Sequence, residues 1–186
     1  MRDQLWNPTA FSESREFPER EIVCILCALV YAHNWNDARL ILDQQQAVLL
    51  TPSTLAELHN IIDVLRKAGQ AADADNWDQY PRLLEETANS GIDSAWKHFM
   101  QDQNAAFEAL VELTTAYPTD EIRHVLIGRK DALLTPAALV MLRDNIGSQW
   151  DAGNTTLARR FEALLQLLDD ARVFNIAIAW NRFCNS

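Results

Sequence analysis

The fold of this chain is decided by a stretch that occurs twice, as LLTPSTLAELHNIIDVLRKAG at residues 49–69 and as LLTPAALVMLRDNIGSQWDAG at residues 133–153. In both copies a threonine precedes a proline, which is typical of a helix N-cap followed by proline in the first helical turn. Large aliphatic residues in the first copy recur at spacings of three and four, which predicts one buried helical stripe: Leu55, Leu58, Ile62 and Leu65. Both copies end at a glycine, the residue favoured just past a helix. Each copy is therefore predicted to be one helix.

The similarity between the copies extends over most of the chain. Residues 20–102 align with residues 104–186 without a gap, and 21 of the 83 aligned pairs are identical. Most identical pairs are apolar or helix-capping residues. We interpret the chain as a tandem duplication of a helical block, since a fixed period with shared buried positions is the signature of repeat architectures.

This duplication predicts three parts: an N-terminal extension at residues 1–19, a first unit at 20–103 and a second unit at 104–186. No segment shows the period-two alternation of a strand. The predicted fold is therefore all-α, with the two units arranged either as a short solenoid resembling tetratricopeptide repeats (TPR) or as a helical bundle.

Each unit is expected to contain four or five helices. The first covers about 20–32 and 104–116, and the second about 36–47 and 120–131. The fourth has an apolar stripe in the second unit, but Pro81 stands in the first unit where the second has Leu165. A kink or a late start is expected there, because proline lacks the N–H that a helix interior uses. The first helix is unusually apolar, which favours packing on most of its sides.

One pattern in the first unit resembles a known family. It consists of paired leucines, Thr-Pro, a leucine-periodic helix, Gly, a Leu-Leu-acidic stretch and Gly-Ile-x-x-Ala-Trp-x-x-Phe at residues 91–99. This pattern is similar to a helical repeat segment of multidomain bacterial proteins, often cyanobacterial or actinobacterial, that is found beside TPR repeats or caspase-like CHAT domains. The resemblance covers 37–99 and, more weakly, 121–183, where Asn175 replaces the glycine. It implies a bacterial scaffold or interaction segment without catalytic residues.

The charge of the chain restricts its partners. The 186 residues carry 16 basic and 26 acidic side chains, a net charge of −10. Such a chain repels phosphates, so neither nucleic acid nor an anionic membrane surface is expected to bind it. Residues 20–102 have a net charge of −6 and residues 104–186 a net charge of −2. The first unit is therefore the expected face for a basic partner.

Location follows from the apolar runs and the cysteines. The longest apolar run, residues 22–32, is shorter than the roughly 20 residues that cross a bilayer. The N-terminal sequence lacks the basic start and apolar core of a signal peptide. Three cysteines, two of them inside that run, do not suggest a disulfide framework. We predict a cytoplasmic protein.

Four groups of residues are candidates for a redox, metal-binding or catalytic site. Cys24 and Cys27 lie within an apolar helix and are predicted to be core thiols. Asp73, Asp75 and Asp78 lack the glycine and glutamate of a calcium loop and are predicted to form a solvated helix start. The four histidines share no metal-binding spacing. Paired acidic residues at 85–86 and 169–170 leave an acid-dependent hydrolase open as a third hypothesis. We predict no catalytic residue, cofactor or metal.

The tryptophans divide according to the repeat. Trp96 and Trp180 are equivalent and predicted to be buried, and Trp77, aligned with Phe161, is predicted to be buried too. Three others have no aromatic counterpart and are the candidate partner-binding residues, because exposed tryptophan is enriched at interaction hot spots: Trp6, Trp35 and Trp150.

The leading hypothesis for function is a non-catalytic helical module that binds a protein partner. Stacked helical repeats cover each other's apolar faces and leave an outer or concave surface for that partner. Assembly into a homo-oligomer is left open. The alternative is a helical pocket for a small apolar ligand or a pigment, which the apolar first helix and the unmatched tryptophans would line.

Overall fold

Thr51 and Thr135 each begin a helix of 16 residues in the same way. In the computed structural model, which describes residues 17–117 and 119–185, the Thr51 Oγ1 accepts a hydrogen bond from the Thr54 N–H at 3.3 Å, and the Thr135 Oγ1 accepts one from Ala138 at the same distance. Proline follows in the first turn, where its missing N–H costs no intrahelical bond. The predicted caps are confirmed.

The described chain is helical throughout and contains no strand, so the all-α prediction is confirmed for residues 17–117 and 119–185. Its helices are α1 (Phe17–Val30), α2 (Trp35–Gln44), α3 (Gln46–Leu49), α4 (Pro52–Lys67), α5 (Ala71–Trp77), α6 (Tyr80–Ser90), α7 (Ile92–Thr115), α8 (Thr119–Gly128), α9 (Lys130–Leu133), α10 (Pro136–Asp151), α11 (Thr155–Val173) and α12 (Ile176–Cys184).

Helix boundaries recur at the offset found in the sequence. The bounds of α2, α3 and α4, each shifted by 84 residues, are those of α8, α9 and α10. Both 16-residue helices end at a glycine with a positive φ, +75° at Gly69 and +76° at Gly153. In each case the amides of the glycine and of the next residue donate to carbonyls of the last helical turn, which is the Schellman type of helix end.

Two differences separate the two aligned halves of the chain, residues 20–102 and residues 104–186. In the first half α5 ends at Trp77 and α6 begins at Tyr80, with Pro81 in its first turn, whereas α11 of the second half runs unbroken through Leu165. The interruption expected at Pro81 is confirmed. The sequence pattern predicts a last helix of the first unit through Ile92, Trp96 and Phe99, separate from the helix at about 104–116, but the structure has one continuous helix, α7, because no glycine or proline lies between Ile92 and Thr115.

The buried apolar side chains form two clusters, one on either side of the middle of α7. The first draws on residues 23–99 and the second on residues 106–180. Trp96 and Trp180 are each 8% exposed and lie in different clusters, and Trp77 is fully buried. The predicted burial of these three tryptophans is confirmed.

One prediction about α1 is wrong. Val23, Leu26, Leu29 and Val30 form its buried stripe, but Cys24 on another face is exposed and Cys27 is half-buried. Among the described residues, α1 packs mainly on α2, α3 and α4, and residues on its other faces are exposed or half-buried. Apolar composition alone therefore overestimated its burial.

Candidate interaction surface

The two halves meet where α5 packs against α10, and a buried carboxylate lies at that contact. Asp75 is 4% exposed. Its Oδ2 accepts from Arg143 Nη1 of α10 at 2.7 Å, and its Oδ1 accepts from Arg172 Nη1 of α11 at 2.8 Å. Arg143 also donates to Asp169 Oδ1 at 3.5 Å. These four residues, which we call the Asp75 cluster, connect α5 with two helices of the second half.

The Asp75 cluster contradicts the prediction of a solvated helix start at this position. Asp75 follows the buried Ala74 on the side of α5 that faces the second half, so its charge needs paired guanidinium groups. The Asp75 counterpart in the alignment is Arg159, and those of Arg143 and Arg172 are His59 and Ala88. The ion pairs of Asp75 therefore join positions at which the two halves differ, whereas the counterpart of Asp169 is the acidic Glu85.

Asp169 is the less buried carboxylate of the cluster. Its partial burial raises its pKa above the ordinary value, because lost hydration outweighs the attraction of Arg143, and the charge of Asp75 raises the pKa further. Asp75 and Asp169 line one groove of about 460 Å³ together with Arg66 and Arg172. Two carboxylates thus converge in a groove, as an acid-dependent hydrolase would require. Both oxygens of Asp75 are already bound to arginines, which favours a structural role.

A second feature of the junction is a small pocket between α6, α7 and the first turn of α10. Its volume is about 130 Å³. Leu83, Phe99, Pro136 and Ala137 supply an apolar lining, and the polar side chains around it are Asp78, Gln79, Arg82, Glu86, Asp102, Gln103 and Thr135. We call it the amide pocket, after the two glutamines. Three of its side chains are acidic and one is basic, and all three acidic side chains are in ion pairs: Asp78 with Arg66, and Glu86 and Asp102 with Arg82.

The two glutamines are held in a defined orientation. Gln79 Nε2 lies 3.4 Å from the backbone oxygen of Asn76 and 3.3 Å from its Oδ1. A backbone carbonyl only accepts, so the amide nitrogen of Gln79 faces Asn76 and its Oε1 faces Gln103. Gln103 Nε2 donates to that oxygen at 3.1 Å. The remaining Gln103 Oε1 is buried and has no hydrogen-bond partner among the described residues, and the residue as a whole is 4% exposed.

Two larger grooves continue from the amide pocket along α10. The tryptophan groove, about 410 Å³, shares Gln79 and Gln103 with the amide pocket and is lined by Trp35, Tyr80, Met141 and Asp144 among others. The phenylalanine groove, about 380 Å³, shares Met141 and Asp144 with the tryptophan groove and includes Phe107, Leu110 and Val111 of α7. The three form one connected surface, which we call the junction surface.

The structure places the candidate tryptophans apart. Trp35 lines the tryptophan groove, but its ring also packs edge-to-face on Phe99, with 5.3 Å between centroids, so it is half-buried. Trp150 lies at the end of α10, is 40% exposed and donates to Glu162 at 2.9 Å. Trp150 is not part of the junction surface. Trp6 lies outside the described residues.

Sequence reasoning missed Phe107 and Val111, which are 60% and 45% exposed on α7. The equivalent positions of the first half are Val23, which is buried, and Cys27, which is half-buried. The helical spacing, and not the alignment, held the signal: Phe107 lies on a different face of its helix from the buried stripe of Ala106, Ala109, Leu110 and Leu113.

The cysteines and the other candidate ligands have ordinary surroundings. Cys24 is exposed, so the prediction of a core thiol is wrong there. Burial, with a smaller effect of Cys24, raises the pKa of the half-buried Cys27 thiol to about 11, which disfavours a reactive thiolate. Within residues 17–117 and 119–185, no three histidine, cysteine or acidic side chains are grouped so that they could hold a metal ion.

Comparison with known proteins gave no match to a family model, a curated protein or a solved structure. Within the part of the chain that the structure describes, no helix combines the length and the apolar character that a membrane crossing requires.

Proposed function

We propose that this protein is a non-catalytic helical interaction module that binds a protein partner on the junction surface. The observation that carries the proposal is the continuity of that surface: three grooves share residues from one to the next and run from α6 along α10 to α7. Contiguous exposed apolar surface typically marks an interaction site, whereas single exposed apolar residues do not. Trp35, Phe107 and Val111 are the apolar residues that a partner would cover.

The charges around the junction surface support a partner with basic side chains. Asp144 is shared by both larger grooves. Asp78, Glu86 and Asp102 surround the amide pocket, where Asp78 already pairs with Arg66 and the other two with Arg82. Complementary charge speeds association and excludes unsuitable partners more than it adds affinity. We further propose that the module is a duplicated repeat segment, which the recurring helix bounds and the two apolar clusters support. Its bacterial origin and cytoplasmic location are proposed from the sequence alone.

The alternative, a site for a small apolar ligand or a pigment, is less well supported. The amide pocket has a largely apolar lining, but about 130 Å³ is comparable to a cavity that holds benzene and is small for a pigment. The larger grooves are lined by polar as well as apolar side chains. A protein partner accounts better for an extended surface of this kind.

The test is quantitative affinity capture from a lysate of the source organism with three baits. Phe107→Ser removes an apolar residue from the junction surface, and Leu40→Ser removes one of similar exposure from α2, outside the surface. The proposal predicts a partner that the wild type and Leu40→Ser retain equally and that Phe107→Ser retains at least tenfold less.

Equal retention by all three baits would contradict the proposed surface. The captured partner is then purified and its affinity measured by calorimetry, so that the result does not rest on capture alone. If the retained protein is the chain itself, light scattering of purified protein would identify a homo-oligomer formed on this surface.

A further inference from the structure

The tryptophan groove is lined by a buried tyrosine whose hydroxyl has no protein partner. Tyr80 is 3% exposed, and its ring packs on Phe99 with 6.0 Å between centroids. No hydrogen bond within the described chain involves the hydroxyl, and unlike Gln103 Oε1 this oxygen is open to solvent. A side chain so nearly enclosed, with its oxygen still accessible, presents that oxygen to the groove. Since buried polar groups are normally paired, the hydroxyl favours a polar occupant.

The charge of the tryptophan groove favours a cation. Asp144 is exposed and forms no ion pair with any described residue. Among the described residues that line this groove, none is lysine or arginine, and His33 is the one side chain that can become positive. The neighbouring Arg143 is already bound to Asp75 and Asp169. The carboxylate of Asp144 is therefore free to pair with a cation that an occupant brings.

The amide side chains of the lining contribute less to recognition. The amide oxygens of Asn34, Asn76 and Gln79 already accept hydrogen bonds from the protein. The Asp144 carboxylate and the Tyr80 hydroxyl are thus two acceptors that remain open in the same groove. An occupant that donates several hydrogen bonds at once is favoured over one with a single donor.

The aromatic and aliphatic lining narrows the choice of cation. A guanidinium group is planar, carries five N–H donors and stacks on aromatic rings, whereas an ammonium group is compact and strongly hydrated. We infer that the tryptophan groove binds an arginine side chain, which, on the basis of the proposed function, belongs to the protein partner. Its guanidinium group stacks on Trp35 and donates to Asp144 and Tyr80. Its stem lies along the half-buried Val140 and Met141.

The experiment is an NMR titration of the purified chain with N-acetyl-L-arginine N-methylamide. The corresponding citrulline derivative is the control, because it has nearly the same shape and no charge. The indole N–H signal of Trp35, identified by its loss in Trp35→Phe, reports on the groove. We expect a saturable shift of this signal with the arginine derivative and at least fivefold weaker binding of the citrulline derivative. The absence of a saturable shift, or equal binding of the two, would overturn the inference.

The lysine derivative tests the stacking on Trp35. It carries the same charge as the arginine derivative but has no planar group, so it should bind more weakly. Equally tight binding of the lysine derivative would show that the groove attracts any cation, and would contradict an arginine site.

An exposed carboxylate outside the groove gives a matched control for Asp144. Asp144→Asn should weaken binding of the arginine derivative at least threefold and leave that of the citrulline derivative unchanged. Asp63→Asn removes another exposed carboxylate, on α4, and should leave both unchanged. An equal loss in the two variants would mean that the net charge of the chain, and not the groove, attracts the cation.

Tyr80→Phe removes the second acceptor and keeps the buried ring. Because the hydroxyl has no protein partner, its removal should not lower the free energy of unfolding, yet it should weaken binding of the arginine derivative at least twofold. Unchanged binding would contradict the place of Tyr80 in the site. A loss of stability in urea unfolding would also contradict it, because it would reveal a structural partner of the hydroxyl.

The arginine site and the proposed function can fail separately. If a captured partner is lost from Phe107→Ser but retained equally by Asp144→Asn and the wild type, the junction surface is supported and the arginine site is refuted. If the arginine derivative binds but no partner is captured, the chemistry of the groove is supported and a protein partner as the source of the arginine is refuted.

Discussion

The second half of the chain has one continuous helix, α11, where the first half has two shorter helices, α5 and α6. α5 and α6 together correspond to α11, and the break lies between Trp77 and Tyr80, ahead of Pro81. Three features of the junction lie at or beside the break: the ion pairs of Asp75, the carboxylate of Asp78 that lines the amide pocket, and the hydrogen bond between the side chains of Gln79 and Asn76. The side chains that form the ion pairs of Asp75 are not shared by the two halves.

The largest loss of stability is expected when the Asp75 carboxylate is removed. Asp75→Ala would leave Arg143 and Arg172 without their buried partner, and breaking a buried pair in this way typically costs about 3–5 kcal/mol. Urea unfolding should show that loss. Asp93→Ala is the control, because Asp93 is 87% exposed where it pairs with Arg39, and its effect should stay within about 0.5 kcal/mol. Similar losses for both variants would show that the Asp75 cluster does not secure the junction.

The second test introduces a proline into α11, at the position that corresponds to Pro81 of the first half. Leu165→Pro places proline in the interior of α11 and should lower the free energy of unfolding by about 3 kcal/mol or more. The reciprocal Pro81→Leu changes a residue in the first turn of α6 and should cost much less. Thermal unfolding followed by circular dichroism measures both variants. Equal costs would mean that the two positions are not structurally different.

A smaller change in the free energy of unfolding is expected at the glycine that ends the 16-residue helix in both halves. Gly153 has a φ of +76°, so Gly153→Ala forces an L side chain into a left-handed conformation at a cost of about 1–2 kcal/mol. Gly147 lies inside α10 with an ordinary φ and open space around it, so Gly147→Ala should stabilise the chain by about 0.5–1 kcal/mol. Chemical denaturation of the two variants should give changes of opposite sign. The same sign for both would contradict the Schellman end at Gly153.

The smallest expected effect depends on pH. Because the folded pKa of Asp169 is raised, the folded chain keeps this proton at a pH where the unfolded chain has lost it. The resulting stabilisation is complete below the ordinary value of 3.8 and is lost as the pH rises through the folded pKa. Asp169→Asn, which cannot ionise, should therefore be more stable than the wild type at pH 7, by less than about 1 kcal/mol since the side chain is 38% exposed.

Unfolding curves at pH 7 and pH 3.5 measure that difference. The advantage of Asp169→Asn should shrink at the lower pH. A variant that is less stable at pH 7 would show that the attraction of Arg143, and not desolvation, dominates at Asp169.

Local signals in the sequence were enough for much of the fold. The threonine caps, the glycine ends and the interruption at Pro81 each depend on a few neighbouring residues, and all three predictions are confirmed. The continuous α7 was missed because the repeat suggested a boundary near residue 103, although no helix-breaking residue lies there. Cys24 was wrongly placed in the core, since composition does not show which face of an apolar helix is covered.

The candidate site was much harder to predict. Asp75 contacts arginines 68 and 97 residues away, and Gln103 contacts Gln79 from another helix. Such pairs depend on how helices pack, and no local spacing encodes them. Of the two candidate tryptophans that the structure describes, Trp35 lines the junction surface and Trp150 does not. The duplication and the division into two units stay predictions.

The central claim is that residues unique to each half hold the two halves together. A double-mutant cycle on Asp75→Ala and Arg143→Ala, measured by urea unfolding, tests it most directly. If the pair couples the halves, the double variant should be less destabilised than the sum of the single variants by at least about 1 kcal/mol. Additivity within about 0.3 kcal/mol would contradict the claim.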